Sequence, residues 1–210
     1  GDSMGDVYIT KVLKRDATGA IAVAADGSLS SMDLPNGERL RIGNTNPDFT
    51  LGWRNNISWK GLNLSFLINA RVGGIVTSET QAVLDQFGVS KATAEARDRG
   101  YVEVAGGQRV DPQKYYEVVA NQQLLGYYYY SATNIRLQNV SLTYTLPKTL
   151  LGQGWPGITV GFIANNLWMI YNKAPFDPEI AASTGTYGQG SDYFSAPSLR
   201  NIGFSLKLNF

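Results

Sequence analysis

Neither histidine nor cysteine occurs anywhere in the 210 residues. Without cysteine there is no disulfide framework and no thiolate metal site. Without histidine the commonest general base, the serine–histidine triad and most zinc sites are lost together, so any catalysis would rest on carboxylate, lysine or tyrosine. Charge is sparse as well, 17% of residues against about a quarter in ordinary soluble domains. A net charge of +1 leaves no electrostatic footprint for nucleic acid. No run reaches the roughly eighteen apolar residues of a membrane-crossing helix, and the opening GDSMGDVYIT lacks the basic and apolar regions of a signal peptide. What the chain has in quantity is glycine (23) and tyrosine (12), residues of turns and strands.

Alternation supplies the structural signal. In RNIGFSLKLNF (200–210) Ile202, Phe204, Leu206, Leu208 and Phe210 share one face, with Gly203, Ser205, Lys207 and Asn209 on the other, the period of a half-apolar strand. DFTLGWRNNISW (48–59) places Phe49, Leu51, Trp53, Ile57 and Trp59 together, with Asn55 as a polar intruder. LNLSFLINA (62–70) does the same with Leu62, Leu64, Phe66, Ile68 and Ala70. Only Lys60 and Gly61 separate the two, and a two-residue hairpin pairs Trp59 with Leu62 on a common face. NIRLQNVSLTYTL (134–146) changes phase: Ile135 and Leu137 are odd, Val140, Leu142, Tyr144 and Leu146 even. One extra residue near Gln138–Asn139 restores the register, which predicts a β-bulge. ITVGFIANNLWMI (158–170) sets Ile158, Val160, Phe162, Ala164, Trp168 and Ile170 on one face, blurred by Ile163, Leu167 and Met169.

The connections alternate in length. The links at 60–61 and 147–157 are short, whereas 10–47, 72–127 and 172–198 are long. In 72–127, Val83, Leu84 and Phe87 recur at helical spacing, which predicts a turn or two of helix. The fold class is therefore all-β and antiparallel. Such strands bury their apolar faces in a soluble sandwich or turn them to lipid in a membrane barrel. Strand length, the alternation of short and long connections, and aromatics near strand ends (Trp53, Trp59, the Tyr127–Tyr130 run, Trp155, Trp168, Tyr171 and Phe210) favour the barrel. With the 60–61 turn on the periplasmic side, the five strands end with the C-terminus there too.

Four segments carry a family resemblance in the same order along the chain. IGNTNPDFTLGWRNNISWKGLNLSFLINARVGG (42–74), YYYSATNIRLQNVSLTYTLPKTLL (128–151), residues 157–179 with ANNLW and Pro175-Phe176-Asp177-Pro178-Glu179, and YFSAPSLRNIGFSLKLNF (193–210) resemble the C-terminal barrel region of the SusC/RagA-like TonB-dependent outer-membrane transporters of Bacteroidetes. The resemblance implies a C-terminal fragment: residues 1–47 as an irregular or loop region, 48–210 as about five barrel strands with long external loops, and no plug domain. It implies an outer-membrane importer of glycans, oligosaccharides or peptides in a Gram-negative bacterium, in contact with membrane lipid. A SusD-like surface lipoprotein and, through the missing N-terminal part, the TonB complex would be its partners. No cofactor and no enzymatic activity are implied. The family's acidic turn departs here to KRDATGAIAVAADGSLSSMD (14–33), which lacks the acid spacing of a calcium loop.

Asp177 and Glu179 flank a proline in a spacing that a glycosidase pair could use, yet two neighbouring acids do not make a site. No catalytic or metal-ligating residue is singled out. Tyr171, Phe176, Asp177 and Glu179 are the expected contacts to substrate or partner. Tyr127–Tyr130 read as an interfacial girdle rather than a sugar-stacking set, and Trp155 as a membrane-interface anchor. Arg136 is expected on the lumen side, since a lipid-facing arginine at the midplane costs about 2–4 kcal/mol. The alternative function is a soluble β-sandwich that binds carbohydrate.

Overall fold

The computed structural model describes residues 3–151, 156–179 and 190–210. In chain order its strands begin with β1 (Asp6–Ile9), β2 (Lys11–Leu13), β3 (Ser31–Asp33) and β4 (Leu40–Asn44). The long hairpin β5 (Phe49–Trp59) and β6 (Leu62–Val72) follows, then β7 (Ile75–Ser78) and helices α1 (Glu79–Gln86) and α2 (Lys91–Arg99). A small hairpin, β8 (Val102–Glu103) and β9 (Arg109–Val110), leads into α3 (Pro112–Val119) and β10 (Tyr129–Ser131). The remainder is β11 (Asn134–Thr145), the single turn α4 (Lys148–Leu151), β12 (Gly157–Asn172), β13 (Ser191–Asp192) and β14 (Asn201–Asn209).

The chain divides into two compact units. One comprises Pro47–Gly73, Ala132–Pro178 and Ala196–Phe210, and it is built on a five-stranded antiparallel sheet in the order β14-β12-β11-β6-β5. The hairpin forms in the expected register, Trp59 opposite Leu62 and Phe49 opposite Val72. Lys60 (φ 45°) and Gly61 (φ 87°) both take the left-handed conformation of a two-residue turn whose twist matches the strands. A Cβ on Gly61 would lie 2.8 Å from the Thr145 carbonyl, whose own amide donates to the Gly61 carbonyl. Glycine is required there by both conformation and space.

The expected bulge is present. Between Leu137 and Asn139 the register of β11 shifts against β6 and against β12, leaving Gln138 as the extra residue. That single insertion lets Ile135 and Leu137 join Val140, Leu142 and Tyr144 on one face. β12 compensates with a bulge of its own, where Asn166 adopts φ 49°. A second shift in β12 puts Tyr171, not Ile170, opposite Ile135, which corrects the sequence reading of that strand end: an extra residue near the long-connection end moves the alternation by one. The β5–β6 turn at 60–61 and the strand ends Thr145 and Thr159, between which β11 passes to β12, lie at one end of the sheet. β5 and β14 are its edges among the described residues.

The other unit comprises the described residues of Gly1–Asn46, Gly74–Ser131 and Glu179–Ser195. Its core gathers Leu13, Ile21, Leu29, Ala82, Val104, Val110, Val119, Ala120, Leu124 and Tyr128. The stretch expected to be irregular, 1–47, thus carries short antiparallel ladders (β1 with β4, β2 with β3) and three core residues. Asp16 and Asp26 close tight turns, accepting hydrogen bonds from Thr18 and Ser28 respectively. The helices are capped as their sequences require: the hydroxyls of Ser78 and Ser90 and the Asp111 carboxylate accept from the amides of Gln81, Thr93 and Lys114. Val83, Leu84 and Phe87 do not form the buried stripe of α1. Ala82 and Asp85 do, and Phe87 caps the helix with its ring exposed. The reason is that Tyr128 supplies a hydroxyl to Asp85 inside the core, which makes a carboxylate the better buried partner than a phenyl ring.

The Tyr127–Tyr130 run is corrected with it. It lies in this unit rather than at the end of a barrel strand: Tyr128 is buried with its hydroxyl donating to Asp85 Oδ2 at 3.0 Å, and the Tyr127 hydroxyl accepts from the Leu13 amide. The girdle reading fails for Tyr128, which belongs to the core, and for Tyr130, which packs against it. Trp155 lies outside the described residues.

Candidate functional site

The five-stranded sheet has two chemically opposite faces. Along one face the paired rows are apolar: Trp53 opposite Ile68, Leu142 opposite Leu64 and Phe162, Phe204 opposite Phe162, and Leu206 opposite Val160. Trp53 and Phe66 meet edge to face at 5.4 Å, and Phe162 and Phe204 lie 5.7 Å apart. Much of this face is nevertheless exposed, Phe204 to 85%, Leu206 to 67% and Trp53 to 52%, while Leu64, Phe66, Ile68 and Phe162 are half-buried. In a soluble sandwich this face would be the core. At the short-turn end Trp59 is exposed and Lys60 Nζ sits 5.1 Å above its ring, the aromatic-plus-lysine pairing of a membrane boundary.

The opposite face carries amides, hydroxyls and cations, with Leu67, Ile163 and Met169 among them. Asn69 donates to Gln138 and Asn139 to Asn165 across the bulge, and Thr145 pairs with Thr159 at 3.1 Å. All the charged residues of these strands, Arg54, Arg71, Arg136 and Lys207, occupy that face, and none is acidic. Register alone therefore sorts every charge away from the apolar side.

Arg136 is the most enclosed of them. Its guanidinium donates to Asp177 Oδ1 at 2.5 Å and to Ser198 Oγ at 3.2 Å, while the Ser198 hydroxyl donates to the other carboxylate oxygen of Asp177. Both ionic side chains are at least nine-tenths buried. The triangle ties strand β11 to the segment after β12 and to the one before β14. The expectation that Arg136 points away from the apolar face holds.

The four expected contact residues separate. Asp177 is held by Arg136 and Ser198. Phe176, half-buried, accepts through its carbonyl from Asn172 Nδ2 at 2.6 Å, which turns the chain out of β12. Tyr171 stands on the apolar face opposite Ile135. Glu179 is exposed and falls in the other compact unit. Ser198 was not singled out by sequence reasoning; a lone serine in SAPSLR gives no signal until the fold brings it to Asp177. Among the described residues no group of three or more acids is placed to hold a metal ion, and no helix is long and apolar enough to cross a membrane, which says nothing of crossing by strands.

An open antiparallel sheet, apolar on one face and polar on the other, with short turns at one end and long connections at the other, is a piece of barrel wall. Comparisons agree. TonB-dependent receptor P3 of Formosa agariphila is 25% identical over 184 residues, 85% of this chain and 18% of the receptor. TonB-dependent receptor P39 of the same organism is 28% identical over 180 residues, 82% of this chain and 17% of the receptor. The chain therefore spans less than a fifth of the length of these curated relatives. Two solved structures of the RagAB peptide importer share the fold: the "open-open" state with TM-score 0.62 and 21% identity, the "closed-closed" state with TM-score 0.60 and 20% identity. Each match covers 98% of this chain and 22% of the other. No family model matches the chain. The relatives uphold the resemblance to TonB-dependent transporters read from four sequence segments, and the RagAB importer shares the fold.

Proposed function

We propose that this chain forms wall and external loops of a TonB-dependent outer-membrane importer, with the apolar face of the β14-β12-β11-β6-β5 sheet toward lipid and the polar face toward the lumen. The observation that carries the reading is the exposed apolar face set against a face that holds every charge of the five strands. A soluble carbohydrate-binding sandwich would cover that face, so the exposure favours the barrel. The substrate class is glycan or peptide, and a SusD-like surface lipoprotein and TonB are the partners; the named relatives and the peptide importer of similar fold support this reading. The sheet unit is wall. The unit built on Gly74–Ser131 gathers the long connections into an external subdomain, with Phe176 and Glu179 as contacts to substrate or lipoprotein. Asp177 orients its loop through Arg136, and Tyr171 is an aromatic of the wall. No step of this role is catalytic.

The test is localisation with topology. An epitope inserted between Gly106 and Gly107, in a turn between β8 and β9, should be detected on intact cells, and the protein should sediment with the outer membrane. Recovery in a soluble fraction, or an epitope reached only after lysis, would overturn the reading.

A further inference from the structure

Near the 60–61 turn the apolar face carries a row that takes one residue from each of the five strands. Trp59 stands opposite Leu62, Leu62 opposite Tyr144, Tyr144 opposite Val160 and Val160 opposite Leu206. All five are exposed. The Tyr144 ring lies beside the turn, 3.7 Å from where a Cβ on Gly61 would stand. Neither its hydroxyl nor the Trp59 indole N–H makes a hydrogen bond among the described residues. Lys60 takes the first turn position at φ 45°, a conformation that asparagine, aspartate and glycine suit better. Its ammonium sits 5.1 Å from the centre of the Trp59 ring and enters no ion pair among the described residues. The sequence offers it none nearby: residues 49–72, 134–172 and 199–210, which supply the whole sheet, contain no aspartate or glutamate.

We propose that Lys60, with Trp59 and Tyr144, binds the headgroup of an anionic phospholipid, whose acyl chains run along the apolar face. Lysine meets phosphate as a compact point charge with three donors. Tryptophan and tyrosine keep their rings in hydrocarbon and their polar tips at headgroup level, where each donates one hydrogen bond. A zwitterionic headgroup brings its own cation beside the phosphate and so competes with Lys60. A headgroup of net negative charge has no such cation, and it supplies the counter-charge that the sheet lacks. The position of Lys60 fits this role, because the backbone there favours other residues while the boundary of the apolar face favours a cation. The inference rests on the reading of that face as lipid-facing, and it adds which lipid the face selects.

Fluorescence of the full chain in bilayers tests it, with Trp59 left as the sole tryptophan by Trp53→Phe, Trp155→Phe and Trp168→Phe. The bilayers mix phosphatidylcholine with phosphatidylglycerol, and brominated acyl chains are carried by one lipid or by the other at the same mole fraction. One lysine at an anionic lipid surface gives a preference of about fivefold. Bromine on phosphatidylglycerol should therefore quench Trp59 more strongly than bromine on phosphatidylcholine, by a relative association of that order. Lys60→Asn, which suits the left-handed turn, should bring the two lipids to equal quenching, and the quenching that persists shows the chain still inserted. Lys60→Arg should keep the preference. Equal quenching by the two lipids before Lys60 is changed, or a preference that Lys60→Asn leaves intact, overturns the proposal and leaves the lipid-facing wall standing. Absence of quenching by either lipid overturns both.

Discussion

Arg136 and Asp177 lie 41 residues apart in sequence and meet at 2.5 Å, both side chains almost fully buried. The arginine is fixed by strand pairing on two sides, so the aspartate is what adjusts: it brings the loop after β12 to the wall. Removing one member takes a buried ionic partner from the other, and breaking a buried pair in this way costs about 3–5 kcal/mol. Asp177→Ala should therefore lower the unfolding free energy in detergent by that order. The double variant Arg136→Met/Asp177→Leu should be less destabilised than the single one, because replacing both members with apolar groups leaves no uncompensated charge. Equal stability of wild type and Asp177→Ala would contradict the buried pair.

Tyr128 sets an alkaline limit on the smaller core. Burial, followed by the Asp85 charge, pushes its phenol well above the usual tyrosine value. A group raised in the folded state contributes its stability below the unfolded value of about 10, and that contribution is lost as pH climbs beyond it. The subdomain should be stable to about pH 10 and weaken above it. Tyr128→Phe should cost about 1–3 kcal/mol at neutral pH by taking the tyrosine donor from the buried Asp85 Oδ2, and should make the alkaline decline shallower. Tyrosine absorbance followed against near-ultraviolet circular dichroism reads both; titration of all twelve tyrosines at the ordinary value in the folded chain would refute it.

Deleting Gln138 should be far more damaging than its polar, bulged position suggests. Without the extra residue, one side of β11 slips by one, and Arg136 and Asn134 exchange faces with Ile135 and Leu137. An arginine turned to lipid costs from about 0–1 kcal/mol near an interface to about 2–4 kcal/mol at mid-depth; Arg136 lies two residues from the start of β11, and the Asp177 contact is lost as well. Gln138→Ala, which keeps the count, should be mild by comparison. Heat-modifiable migration in electrophoresis separates the two, and matching behaviour of deletion and substitution would argue against the register.

Gly61→Ala should destabilise the β5–β6 hairpin by about 1–3 kcal/mol, the cost of a non-glycine residue in a left-handed conformation, with added crowding against the Thr145 carbonyl. Gly61→Asn should recover part of the loss, since asparagine tolerates that backbone. Thermal unfolding in micelles is the check.

The sheet was legible in the sequence because its strands repeat a two-residue period over most of their length, and even the bulge leaves its mark as a change from odd to even apolar positions between Leu137 and Val140. The smaller unit was not. Its strands, such as Lys11–Leu13 and Ser31–Asp33, are too short to show alternation, and its core is assembled from single residues far apart, such as Leu13, Ala82 and Tyr128. Four consecutive tyrosines carry no period at all, so the burial of Tyr128 against Asp85 depends on a long-range pairing that composition cannot announce. The candidate site divides in the same way. Arg136 stood out as a charge beside an apolar phase change and Asp177 as one acid of an Asp-Pro-Glu run, but their meeting, and the place of Ser198 between them, is a property of the folded chain.

The central claim is that one face of the sheet lies against lipid. Single cysteines in place of Phe204, Leu206 and Ser205 would carry a bimane label, with the chain reconstituted into bilayers containing brominated phospholipid. Neighbouring positions on β14 alternate between faces, so the account predicts strong quenching at 204 and 206 and little at 205. Equal quenching at all three sites, or none at 204 and 206, would contradict it.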